Sequence, residues 1–255
     1  MPLDIRRIRE RLPGRDVVWF DTVGSTMTEA EFLAAQGCAS GTLVLAEEQT
    51  AGHGRYGRDW HSERESGLYC SVVLRPALPP DSLPALTLAL GLAAADAIQR
   101  AAGLACDLRW PNDVLIEGRK CAGILTQLAD GAVIAGIGIN VNHERMPEEL
   151  AGIATSLRIR SGRMHSREDL LVALAESIDA FSRILAEDGK EQILRLFSQA
   201  SSYVTGRRVK VDQDGATLTG VTDGLDPSGF LVLRRDDGTR SLILAGGVRP
   251  YAAGA

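Results

Sequence analysis

Lysine is nearly missing from this chain of 255 residues: its 28 basic residues are 25 arginines plus Lys120, Lys190 and Lys210. Asparagine is as scarce, present only as Asn112, Asn140 and Asn142. A bias toward arginine leaves lysine where a compact, rotatable ammonium is needed, and asparagine where one neutral side chain must both donate and accept. All three asparagines and Lys120 fall between positions 112 and 142, so chemistry is expected there first.

Other absences exclude whole classes. The longest apolar stretch, Leu83 to Ile98, is broken by Thr87, Gly91 and Asp96 and is too short to cross a bilayer, so no membrane partner is expected. Cys38, Cys70, Cys106 and Cys121 form no CxxC pair and lie in or beside apolar runs. They read as reduced core residues of a cytoplasmic protein. The first fifteen residues carry five arginines and no apolar h-region, against a secretory signal. Fewer than twenty residues precede the first strand, too few for a helix-turn-helix, and the net charge of −5 speaks against a generic nucleic-acid binder. No Ser-His-Asp or Cys-His arrangement is visible, and His53, His61, His143 and His165 show no metal-ligand spacing. Apolar residues at 45% and charged residues at 24% are those of a globular protein and exclude disorder.

The pattern predicts strands over Val17–Phe20, Thr42–Ala46 and Leu68–Leu74, and a helix over 29–36 with cap oxygens at Ser25, Thr26 and Thr28. The basic run Arg6 to Arg15 reads as the solvated face of one short helix. A long Ala/Leu helix runs to Ala102, capped by Asp81 or Ser82. Strands over 107–110, 114–116, 121–128 and 132–141, turning at Glu117-Gly118 and Asp130-Gly131, suggest a meander. Two helices follow, over 166–188 and 191–201. After Gly206 the texture changes to short strands over 207–211, 217–221, 230–234 and 240–244, separated by Asp214-Gly215, Ser228-Gly229 and Asp237-Gly238. That is the signature of a small β-barrel or sandwich. The expected division is residues 1–204 and 205–255.

Four segments carry candidate chemistry. The loop from Gln49 to Trp60 holds Gly52, Gly54 and Gly57 with Arg55, Arg58 and His53; its backbone N–H groups and guanidinium forks suit an anion. It is no Walker loop, since no Gly-Lys-Ser/Thr follows, and it does not read as a dinucleotide fingerprint. Trp110-Pro-Asn-Asp113 fixes the directions of Asn112 and Asp113 through its proline. Lys120 opens an apolar strand. Gly136 and Gly138 remove side chains from one strand face, where a ligand can approach closely. Trp60 beside the cationic loop could stack on a base. Together these describe a substrate with an anionic end and a flat or apolar portion, transformed by positioning and charge neutralisation.

In this order, Ser25-Thr26, the Gln49 to Trp60 loop, Trp110-Pro-Asn-Asp113, Lys120-x-Ala-Gly-Ile-Leu125 and Gly136-x-Gly-Ile-Asn140 resemble the biotin–protein ligases over nearly the whole chain. The resemblance implies an α+β fold: a mixed central sheet with helices, like a class II synthetase, plus a small C-terminal SH3-like β-barrel. With no DNA-binding segment, the chain is similar to the monofunctional ligases, and no nucleic-acid partner is expected. The implied reaction joins biotin to AMP from Mg-ATP, releasing pyrophosphate. The biotinyl group then passes to one lysine of the biotin carboxyl carrier domain of a carboxylase such as acetyl-CoA carboxylase.

Carried over by motif, Ser25, Thr26 and Gln49 bind the ureido ring with the backbone of Gly52, His53, Gly54 and Arg55, and Gly123, Gly136 and Gly138 line the biotin slot. Lys120 holds the carboxylate and α-phosphate, while Arg55 and Arg58 neutralise phosphate charge; these three are the catalytic candidates. Trp60, Asn112, Asp113 and Asn140 fall on the ATP side. Mg2+ arrives with ATP, Asp113 being the one protein ligand considered. Met27 stands where the family usually has asparagine, His53 where arginine is common and Gln127 where glutamate is common. A lipoate– or octanoate–protein ligase and a catalytically silent biotin sensor are the alternatives, and a homodimer through a sheet edge is left open.

Overall fold

The computed structural model describes residues 2–79, 82–213 and 215–251. In chain order, the elements ahead of the meander are α1 (Ile5–Arg11), β1 (Val17–Val23), α2 (Thr26–Ala35), β2 (Leu43–Gln49), β3 (Gly67–Leu74) and α3 (Leu83–Ala102). The meander is β4 (Asp107–Arg109), β5 (Asp113–Ile116), β6 (Arg119–Ala129) and β7 (Ala132–Asn140). Then come α4 (Leu157–Ser161), α5 (Arg167–Glu187) and α6 (Lys190–Gln199). A second sheet holds β8 (Thr205–Gln213), β9 (Ala216–Leu225), β10 (Leu231–Arg235), β11 (Arg240–Ile243) and β12 (Gly247–Pro250).

The first sheet runs β1-β2-β3-β7-β6-β5-β4, parallel only between β1 and β2. Side chains alternate across its faces. Val44, Val73 and Ile134 bury against Met27, Ala30 and Ala34 of α2, while Leu43, Leu45 and Val72 join the larger core with α3 and α5. The meander turns have positive φ at Glu117, Gly118, Asp130 and Gly131, the backbone twist that two-residue hairpin loops require. Cross-strand pairing sets Gly123 opposite Gly138, Leu125 opposite Gly136, and Tyr69 and Ser71 opposite the same two glycines on the other side. A glycine-lined floor therefore lies on the α2 face of the sheet.

Several boundaries differ from the sequence pattern. Helix α2 starts at Thr26, because the Ser25 hydroxyl accepts the Met27 N–H at 3.3 Å and caps it there. Ser82 precedes α3 without a side-chain cap bond, and Pro84 in the first turn supplies the preset φ instead. Asp81 and Asp214 lie outside the described residues. The spacing Gly52-x-Gly54-x-x-Gly57 does match a dinucleotide fingerprint, but only a 3-10 turn, Arg55–Gly57, forms there and no helix opens. Helix α1 is more than a solvated face: Ile8 is fully buried, and Arg7 and Arg11 both pair with Asp169 of α5. Beneath it, Glu47 accepts the Leu3 N–H and, at 2.9 Å, the guanidinium of buried Arg167.

The second sheet is antiparallel throughout, in the order β11-β10-β9-β8-β12. Among the described residues its edges do not pair with each other, so the SH3-like module is an open five-stranded sheet, not a closed barrel. Strand β12 escapes the pattern because it is short and bounded by glycine and proline. The module is fused to the first by one core: Val209, Leu231 and Ile243 belong to the same cluster as Leu43, and the Trp110 indole N–H donates to the Gly229 carbonyl at 2.9 Å.

Candidate active site

A cavity of about 660 Å3 opens over the glycine floor. Ser25, Thr26, Gln49, His53, Gly54, Arg55, Arg58, Trp60, Asn112, Asp113, Lys120, Gly123, Gly136, Gly138 and Asn140 all line it. Of the sequence-derived candidates, Gly52 alone stands behind the wall. A Cβ there would come within 2.9 Å of both Gln49 Nε2 and Ser62 Oγ, so glycine lets the loop seat against Gln49.

The indole of Trp60 lies on the floor. A Cβ on Gly138 would overlap it, and one on Gly123 would stand 2.9 Å from the ring and 3.0 Å from Lys120 Nζ. Two of the three slot glycines thus make room for Trp60, and Gly136 makes room for the Met27 thioether. Met27 is buried and presents sulfur toward the slot in place of an amide. At this end Gln49 Oε1 accepts from the Thr26 amide at 2.8 Å and its hydroxyl at 3.1 Å, and Gln49 Nε2 donates to Ser62. Thr26 Oγ1 and Ser71 Oγ are 2.8 Å apart. The result is a polar patch at the start of α2, suited to a small amide-like ring.

The cationic end is built on β4 to β6. Lys120 Nζ lies 2.6 Å from Asp113 Oδ1 and 5.2 Å from the centre of the Trp60 ring. Arg109 holds the other oxygen, with Nη2 at 2.6 Å and Nε at 3.1 Å. Burial pushes the Asp113 carboxyl upward, yet the adjacent Lys120 ammonium and Arg109 guanidinium hold it below the ordinary carboxylate range. Both oxygens serve cations, so Asp113 does not fit a magnesium ligand; it braces Lys120. The Lys120 backbone is pinned as well, its N–H and C=O bonding Ile153 and Thr155, each at 2.9 Å.

The arginine loop folds back on itself. The Gly54 N–H donates to Arg58 O at 2.7 Å, and the Trp60 N–H to Gly52 O at 2.9 Å. Tyr56 sits in the left-handed region at φ 61°, a costly conformation for a non-glycine residue. There its hydroxyl accepts the Gly246 N–H at 2.5 Å and Arg55 Nη2 at 3.0 Å. Arg55 Nη1 also reaches Asn112 Oδ1 and Gly246 O, both at 3.3 Å. The loop is thereby docked on the C-terminal module, and Gly246, Gly247 and Val248 line the cavity. Nothing in the sequence pointed to that module as part of the site.

The remaining candidates are placed as follows. Asn112 Nδ2 donates to Ile124 O while its Oδ1 accepts from Arg55, and Asn140 Nδ2 donates to Thr155 O; both side chains face the cavity. Asn142 instead braces the backbone of His165 through two bonds of 2.9 Å. His53 is exposed, with Nδ1 3.3 Å from Ala51 O, and Gln127 lines an adjoining cavity of about 360 Å3 that also reaches Leu244 and shares Arg55 and Asn112 with the first. Sequence reasoning missed Arg109, which only its register with Asp113 reveals. It also dismissed the histidines: His61 and His143 converge with Glu63, although no local spacing joins them. Burial, with His61 adding, pushes His143 down to about 4, so its imidazole is neutral.

A cavity joining a glycine floor, a lysine clamp and an arginine loop, on a mixed sheet with a fused β-module, defines a domain that holds a ring-bearing carboxylate against a nucleotide. Comparison with known proteins agrees. The profile of the Biotin/lipoate A/B protein ligase family matches residues 19–144, and that of the Biotin protein ligase C terminal domain matches 204–248. The biotin--[acetyl-CoA-carboxylase] ligase of Mycobacterium tuberculosis is 34% identical over 257 residues, covering 96% of this chain and 94% of that protein. The bifunctional ligase/repressor BirA of Bacillus subtilis is 34% identical over 245 residues, covering 93% and 75%. The biotin protein ligase from Aquifex aeolicus in complex with biotin and ATP superposes with a TM-score of 0.82 at 30% identity, covering 92% and 97%. The chain belongs to the biotin protein ligases. Among the described residues no helix is long and apolar enough to cross a membrane.

Proposed function

We propose that this chain activates biotin with ATP and transfers it to a lysine of a biotin carboxyl carrier domain. The biotin carboxylate attacks the α-phosphorus, a carboxyl–phosphate anhydride forms, and the bond to the β-phosphate breaks to release pyrophosphate. The carrier lysine amine then attacks the acyl carbon, losing a proton as the amide forms and AMP leaves. The observation that carries this reading is the union, in one cavity, of the Lys120 clamp and the floor of Gly123, Gly136 and Gly138.

In this reading Ser25, Thr26 and Gln49 hold the ureido ring, with the loop backbone from Gly52 to Arg55. Lys120 bridges the carboxylate and the α-phosphate, and so gains most where charge gathers in the transition state. Arg55 and Arg58 close over the phosphates; Trp60 and Asn112 border the nucleoside, with Asn140 beside them. Magnesium enters on the ATP phosphates and is given no protein carboxylate. The catalytic unit is residues 1–204, and 205–255 supply the module on which Arg55 docks.

The test is ATP–pyrophosphate exchange in Mg2+ with biotin, lipoate, octanoate or no acid. Exchange with biotin alone is the expected result. Exchange with lipoate or octanoate reassigns the substrate, and tight biotin binding without exchange makes the chain a sensor.

A further inference from the structure

Three groups that biotin activation does not use converge at the edge of the cavity, where His61 is part of the lining. His61 and Glu63 stand one and three positions after Trp60, and His143 stands three positions beyond the end of β7. The Nε2 atoms of His61 and His143 each lie 3.9 Å from Glu63 Oε2, and one donor atom from each residue falls within 4.8 Å of the others. The imidazole rings are 5.9 Å apart. His143 is fully buried, and neither of its ring nitrogens has a hydrogen-bond partner. Buried polar groups are nearly always paired, so an imidazole left bare on both sides and facing two further donors asks for an explanation.

We propose that His61, Glu63 and His143 form a site for a divalent transition-metal ion of the zinc class, with water completing the coordination. Two imidazoles and one carboxylate are the donors that zinc, cobalt and nickel accept, whereas magnesium prefers an all-oxygen shell. The site is therefore distinct from the magnesium that accompanies ATP. Donors at about 2.0–2.1 Å around a tetrahedral ion stand about 3.3 Å from one another. Closing from the present separations falls to His61 and Glu63, which are exposed and free to rotate, while His143 is the fixed anchor. The anchor is held from outside: Ser156 Oγ donates to the His143 carbonyl at 2.7 Å, and Asn142 is locked to His165. The Glu63 carbonyl is likewise fixed, accepting the Tyr69 hydroxyl at 2.8 Å. A bound ion ties the segment after Trp60 to the end of β7, the strand that carries Gly136 and Gly138. It thus stiffens the position of the indole over the glycine floor.

The experiment uses the full chain, stripped with a chelator, in the absence of biotin and nucleotide, so its outcome is independent of the ligase reading. Titration with Zn2+ is expected to bind one ion per chain and raise the thermal unfolding midpoint. Co2+ in its place is expected to give the visible d–d absorption of a four- or five-coordinate site. His61→Ala and Glu63→Gln alter exposed side chains and leave the core intact; each is expected to weaken binding about tenfold or more and remove the thermal shift. Absence of stoichiometric Zn2+ binding, binding that both variants leave unchanged, or a thiolate-to-cobalt charge-transfer band placing the ion on cysteine each overturns the proposal.

Discussion

Lys120 and Asp113 form a 2.6 Å ion pair at the cavity wall, while Arg109 takes the second carboxylate oxygen. The pair is formed before any substrate arrives, so the ammonium is aimed and its orientation cost is met in advance. In the proposed reaction a substrate carboxylate shares Lys120 with Asp113, and the developing phosphate charge competes best.

Lys120→Ala is accordingly expected to lower biotin-dependent ATP–pyrophosphate exchange about 100-fold or more, the scale of losing one preorganised charge in a transition state. Asp113→Asn is expected to cost less, about tenfold, because the ammonium remains but is no longer aimed. The double variant should be no worse than Lys120→Ala alone, since both changes act through one group. Additive losses would give Asp113 a separate role.

Arg55 joins Asn112 to the Gly246 carbonyl, closing the loop between the catalytic sheet and the C-terminal module. Arg55→Gly removes both contacts and a cation that lines the cavity, the one proposed to face the phosphates. The expected outcome is weaker retention of the reactive anhydride, seen as biotin label on lysines of an unrelated protein mixed into the assay. Label confined to the carrier domain would show that Arg55 does not retain the adenylate.

Much of this site was legible in the chain because its residues cluster locally. The loop after β2, the turn before β5, the start of β6 and the second half of β7 each carry their own signal, and lysine scarcity singled out Lys120. The illegible parts depend on pairing at a distance. Arg109 joins the site through strand register, and Gly246 through packing of two sheets far apart in sequence. His143 meets His61 only because β3 and β7 are neighbours. The same holds for the fold: hairpin turns such as Asp130-Gly131 are local chemistry, whereas the short edge strand β12 exists only through its partner β8.

The floor glycines yield a size test. Gly138→Ala places a methyl group inside the Trp60 ring position, so the indole must move or the strand must shift. Biotin KM is expected to rise about tenfold or more, with a changed tryptophan emission spectrum and an unfolding midpoint near that of the parent, because overpacking here displaces a half-buried side chain and not the core. An unchanged KM would mean that Trp60 does not shape the slot.

Glu47 and Arg167 form a fully buried ion pair at 2.9 Å, and Glu47 also receives the Leu3 amide. Arg167→Met leaves the carboxylate buried without its cation, for an expected loss of about 3–5 kcal/mol in denaturant unfolding. Pairing it with Glu47→Leu should recover part of that loss, since removing both charges removes the desolvation cost too. A single variant as stable as the parent would show that water reaches the pair.

Acid should act on the Lys120 clamp through Asp113. Its carboxyl is held below its ordinary value by Lys120 and Arg109, against the upward push of burial, so the folded state favours the ionised form. A depressed carboxylate contributes stability that is complete above its unfolded value, about 3.9, and is lost as the pH falls through the lower folded value. The melting-temperature gap between the parent and Asp113→Asn is therefore expected to stay level from neutral pH down to about pH 4.5 and to narrow only below that. Calorimetry of both proteins across that range reads the gap directly. A gap that closes already between neutrality and about pH 5 would assign the coupling to a histidine and not to Asp113.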